Sequence, residues 1–318
     1  MLRRLGLGCL GAGSAAAYGV AQYGDDESRR SLAVGVFGTL CRAFLKGGNS
    51  LTVHDRHHFD RALERPKGTA LLSVSNHIAT IDDPHLLSSI VPYSVLLRAR
   101  DMRWGVCASD VCFRPGSLLS RLADCAKVLP VQRHGGVWQP ELDGIIDKLK
   151  LGGWVHYFPE GKIRQDGRIH PFRRGVGRIA ASVSDDESLL VVPFYHTGTD
   201  EIQPTTPTSK TIFSRPNLGN EVHVIFGPPV DLSRLLALRS KPPFDRRPEL
   251  LYEVIAHTLE EEVRALREEL HRRLGRPAFH LKEGGSFDHD RPAIWQPGAG
   301  TLAAGGGAEN SPRAGAST

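Results

Sequence analysis

The chain has 318 residues, a mass of 34.8 kDa and a formal net charge of +5, from 40 Lys and Arg against 35 Asp and Glu. Its hydrophobic content of 40% excludes a wholly disordered chain and a polytopic membrane protein. The mild basic excess is compatible with anionic partners and demonstrates none.

The opening MLRRLGLGCLGAGSAAAYGVAQYG carries Arg3 and Arg4 and then no charge until Asp25. Three readings stand open: a secretory signal, a mitochondrial or plastid transit segment, or a short anchor over Leu5 to Ala21. The next stretch, SLAVGVFGTLCRAFLKGG, sets Val36, Phe37, Leu40, Phe44 and Leu45 at helical spacing. It reads either as a helix lying on anionic headgroups through Arg42 and Lys46, or as a helix covering a core.

From Leu51 onward strand-like and helix-like segments alternate. Ala70 to Ser75 predicts a buried strand, PHLLSSIV a helix start, YSVLLRA a strand, GSLLSRLADC a helix and AKVLPVQR a strand. ELDGIIDKLKLGG has Leu142, Ile145, Ile146 and Leu149 in an amphipathic stripe, with Gly152 and Gly153 placed to end the helix. WVHYFP predicts a strand, RGVGRIAASV a helix, LLVVPFYHTG a strand, and EVHVIFGPPV a strand stopped by Pro228 and Pro229. A long amphipathic helix follows, from PELLYEV to Gly275. This alternation implies an α/β domain with a mixed, largely parallel sheet flanked by helices. The limits read as an apolar targeting or membrane-associating segment over 1–50, one α/β domain over 51–283, and a low-complexity disordered tail over 284–318. The tail holds 8 Gly and 3 Pro in 35 residues. The five cysteines are odd in number and form no CxxC, so no disulfide scaffold is expected. Cys107 and Cys112 read as core thiols.

The sharpest feature is SVSNHIATIDDPHL. Five helical residues turn the chain by about 500°, which would point His77 and Asp82 about 140° apart. The two side chains meet only if a loop separates them. Asp83 before Pro84 suits a helix N-cap, which leaves Asp82 to turn back toward His77. A carboxylate on one ring nitrogen fixes a histidine as a base for a hydroxyl that belongs to the substrate. No G-x-S-x-G elbow offers a nucleophile from the protein. Spacing alone leaves three readings open: that base, a metal site using His77, Asp82 or Asp83, and His85, or a capped turn with a hydrogen-bonded histidine. A second constellation, WVHYFPEGKIRQDGRIHPFRRGVGRIA, puts Glu160 and Gly161 after a strand. Lys162, Arg164, Arg168, Arg173 and Arg174 follow, and form either a phosphate cradle at a helix start or a solvated basic loop. Arg133 ends the VLPVQR strand, where open α/β sheets often place site residues. The alternative there is a surface ion pair.

Together NHIATIDD, VLPVQR, FPEGK and LLVVPFYHTG, in that order, resemble the glycerophospholipid acyltransferase family over residues 50 to 240. The resemblance implies the glycerolipid acyltransferase fold and an acyltransferase in which His77 is the general base and Asp82 orients it. Arg133, Phe158, Pro159, Glu160 and Gly161 would bind substrate, and Asp83 would remain a cap. No metal and no cofactor are implied. NHIATIDDPHL, RWGVCASDVCF and GGVWQPELDGIIDKLKLGGWVHYFPEGK are similar to the branch of the family that remodels cardiolipin. That branch moves acyl chains from a phospholipid to monolysocardiolipin without coenzyme A. The implied partners are phospholipid, lysophospholipid and a membrane surface, not nucleic acid. The implied location is the mitochondrial membrane, facing the intermembrane space, with another endomembrane or a plastid membrane as the alternative. The competing activities are an acyl-CoA-dependent lysophospholipid acyltransferase, a metal-dependent hydrolase, and a catalytically silent scaffold.

Overall fold

Segments such as ALLSVS and WVHY are short and buried at every residue, as strands covered on both faces must be. The computed structural model describes residues 26–276, apart from 115, 117–119, 121–122, 124–125, 184–188 and 206–215. The expected N-terminal anchor up to residue 25, most of the helix expected over 116–125, and the tail over 284–318 lie outside the described residues.

The strands are β1 (Ser50–His54), β2 (Ala70–Ser75), β3 (Gly105–Ala108), β4 (Val128–Val131), β5 (Trp154–Tyr157), β6 (Leu189–Thr197) and β7 (Glu221–Phe226). Five of them form one sheet in the order β1-β7-β6-β2-β5, and β3 and β4 form a parallel pair. Every pairing in the large sheet is parallel except β6 with β7. The sheet is therefore mixed and largely parallel, as expected. Trp104, just before β3, joins the two sheets. Its N–H donates to the Trp154 carbonyl (2.7 Å), and its own carbonyl accepts from the His156 N–H (2.9 Å).

Alternation along each strand sends residues to opposite faces. On one face Leu72, Val74, Val155 and Val191 meet α3 (Pro140–Lys150), α4 (Arg174–Val183) and α5 (Pro248–Arg273) through Ile145, Ile179 and Leu259. On the other, Leu71, Trp154, Phe194 and Val224 meet α1 (Asp26–Gly48) and α2 (Arg56–Leu63) through Leu45 and Phe59. So α1 does cover the core, burying Ala33, Val34, Cys41 and Leu45, while Leu32, Phe37 and Leu40 stay exposed. Among the described residues no helix is long and apolar enough to cross a membrane. Proline opens α3 and α5, and positive-φ glycines follow them, Gly152 at +75° and Gly275 at +61°.

Two expectations need correction. YSVLLRA is not a strand: Tyr93–Leu96 is one helical turn, its last residues bonding back to the Pro92 and Tyr93 carbonyls. Leu96 packs inward there while Leu97 faces out. Cys107 and Cys112 are not core thiols but a disulfide pair, because the turn Ser109–Cys112 after β3 brings their Cα atoms to 6.1 Å.

Gly177 on α4 packs directly against the α5 backbone, and a Cβ there would overlap the Tyr252 carbonyl. Neither helix can retreat without opening the core. Gly177→Ala should cost about 1–3 kcal/mol or more despite its better helix propensity. Urea unfolding of the variant checks this; unchanged stability would mean that α4 and α5 are not packed this closely.

Candidate active site

The parallel strands β2, β5 and β6 end on the same edge of the sheet, where open α/β sheets place ligands. Residues 76–82, 158–161 and 198–199 leave that edge as three adjacent loops. In the first, Asp82 turns back toward His77, as a loop between the two allows. His77 Nδ1 donates to Asp82 Oδ2 at 3.0 Å, with the imidazole 19% exposed and the carboxylate fully buried. The same oxygen accepts the N–H groups of Ile78 (2.7 Å) and Ala79 (2.8 Å), so the carboxylate closes the loop on itself. Asp82 Oδ1 accepts the Thr199 hydroxyl at 2.6 Å, and His196 Nε2 stands 3.7 Å from Oδ2. Burial alone would push the Asp82 carboxyl up. His196, His77 and Thr199 outweigh it and hold the group below the usual carboxylate range, so it stays an anion.

Asn76 anchors the start of the loop. Its amide donates to the His196 carbonyl (2.9 Å) and accepts the His196 N–H (3.1 Å), tying β2 to β6 where their pairing ends. Phe158 stacks on the His77 ring, with centroids 3.9 Å apart and planes 14° from parallel. His156 meets the edge of Phe158 from behind (4.4 Å) and is held by Ser73 Oγ at 3.0 Å. Burial keeps His156 far below the usual histidine range, so it backs the site as a neutral ring.

One expected role changes. Asp83 does not cap a helix. Its backbone is extended (φ −137°, ψ 121°), and its buried carboxylate pairs with the Arg103 guanidinium beside Gly105, where a Cβ would crowd the carboxylate. Glu160 is 4% exposed, and its two oxygens accept the N–H groups of His77 (3.0 Å) and His170 (3.1 Å), which clamps the second loop onto the first. Gly161, at φ +69°, makes the turn that follows and sits against Arg173. Pro159 is buried and accepts the Arg173 N–H. Arg133 is half-exposed beyond β4 and pairs with Asp110 at 3.2 Å. Within the basic loop Arg173 Nε donates to the Glu160 carbonyl (3.3 Å) and Arg174 pairs with Glu253 (3.0 Å), while Lys162 is exposed. His85 packs edge-on against Phe44 (5.3 Å) and is held near 4 by burial. Among the described residues, the metal-ligating side chains that gather are His257, Glu260 and Glu261, not His77, Asp82 and His85.

Sequence reasoning missed Thr199, His196, Asn76 as a strand tie, and Arg103. TGTD after LLVVPFYH did carry a signal: a hydroxyl just beyond a third parallel strand end.

This fold and site define a class. Residues 50–197 match the family model described as Acyltransferase. The crystal structure of the 1-acyl-sn-glycerophosphate acyltransferase from Thermotoga maritima shares the fold, with a TM-score of 0.52 and 21% identity over 81% of this chain and 89% of that one. Among curated relatives, tafazzin of Drosophila melanogaster is 33% identical over 202 residues, covering 63% of this chain and 50% of that protein. N-acylphosphatidylethanolamine synthase of Arabidopsis thaliana is 30% identical over 187 residues, covering 58% of this chain and 64% of that protein. Over residues 50–197 the chain is thus similar to acyltransferases, and it spans about half to two-thirds of the length of these curated relatives.

The Glu160 clamp yields a pH prediction. Burial pushes its carboxyl up to about 8, even though two main-chain N–H groups favour the anion. Above its unfolded pKa the native state therefore holds a proton that the unfolded chain has lost. Stability should fall with rising pH between about 4.5 and 8, by up to one proton's slope. Glu160→Gln removes that proton. Urea midpoints across this range should show a flatter profile for Glu160→Gln than for wild type; parallel profiles would mean that Glu160 is ionised throughout.

Proposed function

We propose that this protein transfers fatty-acyl chains between phospholipids and lysophospholipids, by direct transacylation that needs no coenzyme A and with a monolysocardiolipin-like acceptor. The observation that carries the reading is the short His77–Asp82 pair on a strand-end loop, with the imidazole partly exposed. Asp82 accepts a hydrogen bond from the Nδ1–H and so keeps that proton on Nδ1, which leaves Nε2 with a lone pair. That nitrogen accepts the proton of the acceptor's free hydroxyl as its oxygen attacks the donor's ester carbonyl. The C–O bond to the donor glycerol then breaks, and the imidazolium returns its proton to that leaving oxygen. One ester forms and one breaks, so no energy source is required. Asp82 stabilises the imidazolium while remaining an anion.

Phe158 fixes the imidazole plane by stacking, and Glu160 acts as a positioning residue through the His77 N–H. Arg133, Gly161 and the exposed Lys162 are the groups offered to the acceptor's glycerophosphate. The exposed apolar side chains of α1 support contact with a membrane surface. The similarity to tafazzin supports a mitochondrial membrane location. No nucleic acid and no cofactor enter this scheme.

The test is incubation of purified protein with labelled phospholipid and monolysocardiolipin, with and without acyl-CoA. Label should move to the acceptor in both cases. Transfer that requires acyl-CoA would reassign the donor, and activity abolished by EDTA would favour the hydrolase alternative.

His77→Ala should lower transfer by ~10² to 10⁴ with the fold intact. The doubled acids should separate cleanly. Asp82→Asn should lose activity. Asp83→Asn should mainly lose stability, by about 3–5 kcal/mol, because it leaves Arg103 buried without its counter-charge. Rate and melting measurements on both variants check this, and a stable, inactive Asp83→Asn would reverse the assignment.

A further inference from the structure

The reaction loops leave the C-terminal ends of β2, β5 and β6. A different cluster surrounds Trp104, next to the residues that lead into β5. Three cations face the Trp104 ring: Lys148 Nζ at 4.7 Å, Lys127 Nζ at 4.9 Å and the Arg30 guanidinium at 5.6 Å from its centroid. With Arg100 they line a cavity of about 200 Å³ floored by Leu151 and Gly153. Among the described residues Glu27 is the one acid lining it, and its carboxylate already accepts the Arg100 main-chain N–H at 2.9 Å. Lys127 is buried and donates to the carbonyls of Ala99 and Met102. Burial and the neighbouring Arg103 pull its ammonium down to about 7, the direction that an anion beside it would reverse.

An apolar groove lies beside this cavity. It has a volume of about 530 Å³ and runs along α1, lined by Leu32, Gly35, Val36, Leu40 and Leu97. The two meet where the Ala99 N–H donates to Ser31 Oγ at 2.9 Å, since Ser31 lines the groove and Ala99 the cationic cavity. Leu32, Leu40 and Leu97 are exposed. An apolar channel opening beside four cations and one acid has the polarity of a single amphiphile with an anionic head.

We propose that this joined surface binds one anionic phospholipid of the bilayer, with its phosphate among Lys148, Arg30 and Arg100 and an acyl chain along α1. The occupant is not the reacting lipid. β5 separates the cavity at its N-terminal end from the Phe158 loop at its C-terminal end, and its four residues span about 13 Å. The site would seat the domain on an anionic leaflet through α1. The proposal goes beyond acyl transfer and is tested by binding alone, so it stands or falls separately from the reaction.

The experiment uses the full-length protein and vesicles of pure phosphatidylcholine or of phosphatidylcholine with 30% phosphatidylglycerol. Sedimentation gives the partition, and brominated chains report on tryptophan contact. Phosphatidylglycerol should raise binding, and brominated chains should quench a component that is absent in Trp104→Phe. Charge reversal by Arg30→Glu with Lys148→Glu should weaken binding to the anionic vesicles by roughly tenfold or more and leave phosphatidylcholine binding little changed. Leu32→Asp with Leu97→Asp should remove the Trp104 quenching. Wild-type partition by the charge-reversed protein would overturn the proposal, and so would quenching identical in Trp104→Phe. Wild-type binding to the anionic vesicles by the Leu32→Asp with Leu97→Asp protein would also overturn it, because the cavity would then be a simple anion site. Thermal unfolding of each variant confirms that the loss is local.

Discussion

A fully buried carboxylate organises the candidate-site edge of this domain. Asp82 accepts two main-chain N–H groups from its own loop, the imidazole of His77, and the hydroxyl of Thr199 from beyond β6. Removing a carboxylate from water is costly, and the cost is recovered only while these donors stay in place. The carboxylate therefore shapes the loop as much as it serves the histidine. It fixes where His77 points, which ring nitrogen carries the proton, and how the β2 loop meets the β6 loop. Glu160 performs the parallel task for the β5 loop by accepting the His77 N–H. The histidine is thus held through its ring by one buried acid and through its backbone by another.

The neighbouring acids show how one backbone step divides labour. Asp82 faces the His77 loop, whereas Asp83, in extended backbone, turns to Arg103 at the entry to β3. That pair ties the catalytic loop to the strand pair β3–β4, and through Trp104 to β5. The disulfide between Cys107 and Cys112 staples the turn at the end of β3. The small sheet is thereby held to the site's edge by an ion pair and a backbone bridge, while Val106, Leu129 and Val131 pack against the core.

Much of this was legible in the sequence because the decisive patterns are local. Ala70–Ser75 and Trp154–Tyr157 are apolar runs bounded by turn residues, and Leu142, Ile145, Ile146 and Leu149 repeat with helical period. Geometry showed that His77 and Asp82 could meet only across a loop, and the family resemblance supplied the reason for them to meet. What remained hidden depends on residues far apart in the chain. Thr199 reaches Asp82 across 117 positions, and Glu160 reaches His77 across 83. No local rule separates a glutamate that clamps two loops from one that meets a ligand. Asp83 matched the rule for a helix cap, but a buried guanidinium 20 positions away was the stronger partner. YSVLLRA shows the opposite failure: an apolar run reads as a strand, yet Pro92 and the cover of α1 make it a turn of helix.

The account rests on His77 presenting Nε2 as a base because Asp82 holds the proton on Nδ1. Nitrogen-15 NMR of histidine-labelled protein reads that tautomer directly. When its ring is neutral, His77 should carry its proton on Nδ1, with Nε2 at the shift of an unprotonated nitrogen, and Asp82→Asn should abolish this preference. A His77 ring protonated on Nε2 in the wild-type protein, or one whose tautomer is unchanged in Asp82→Asn, would contradict it.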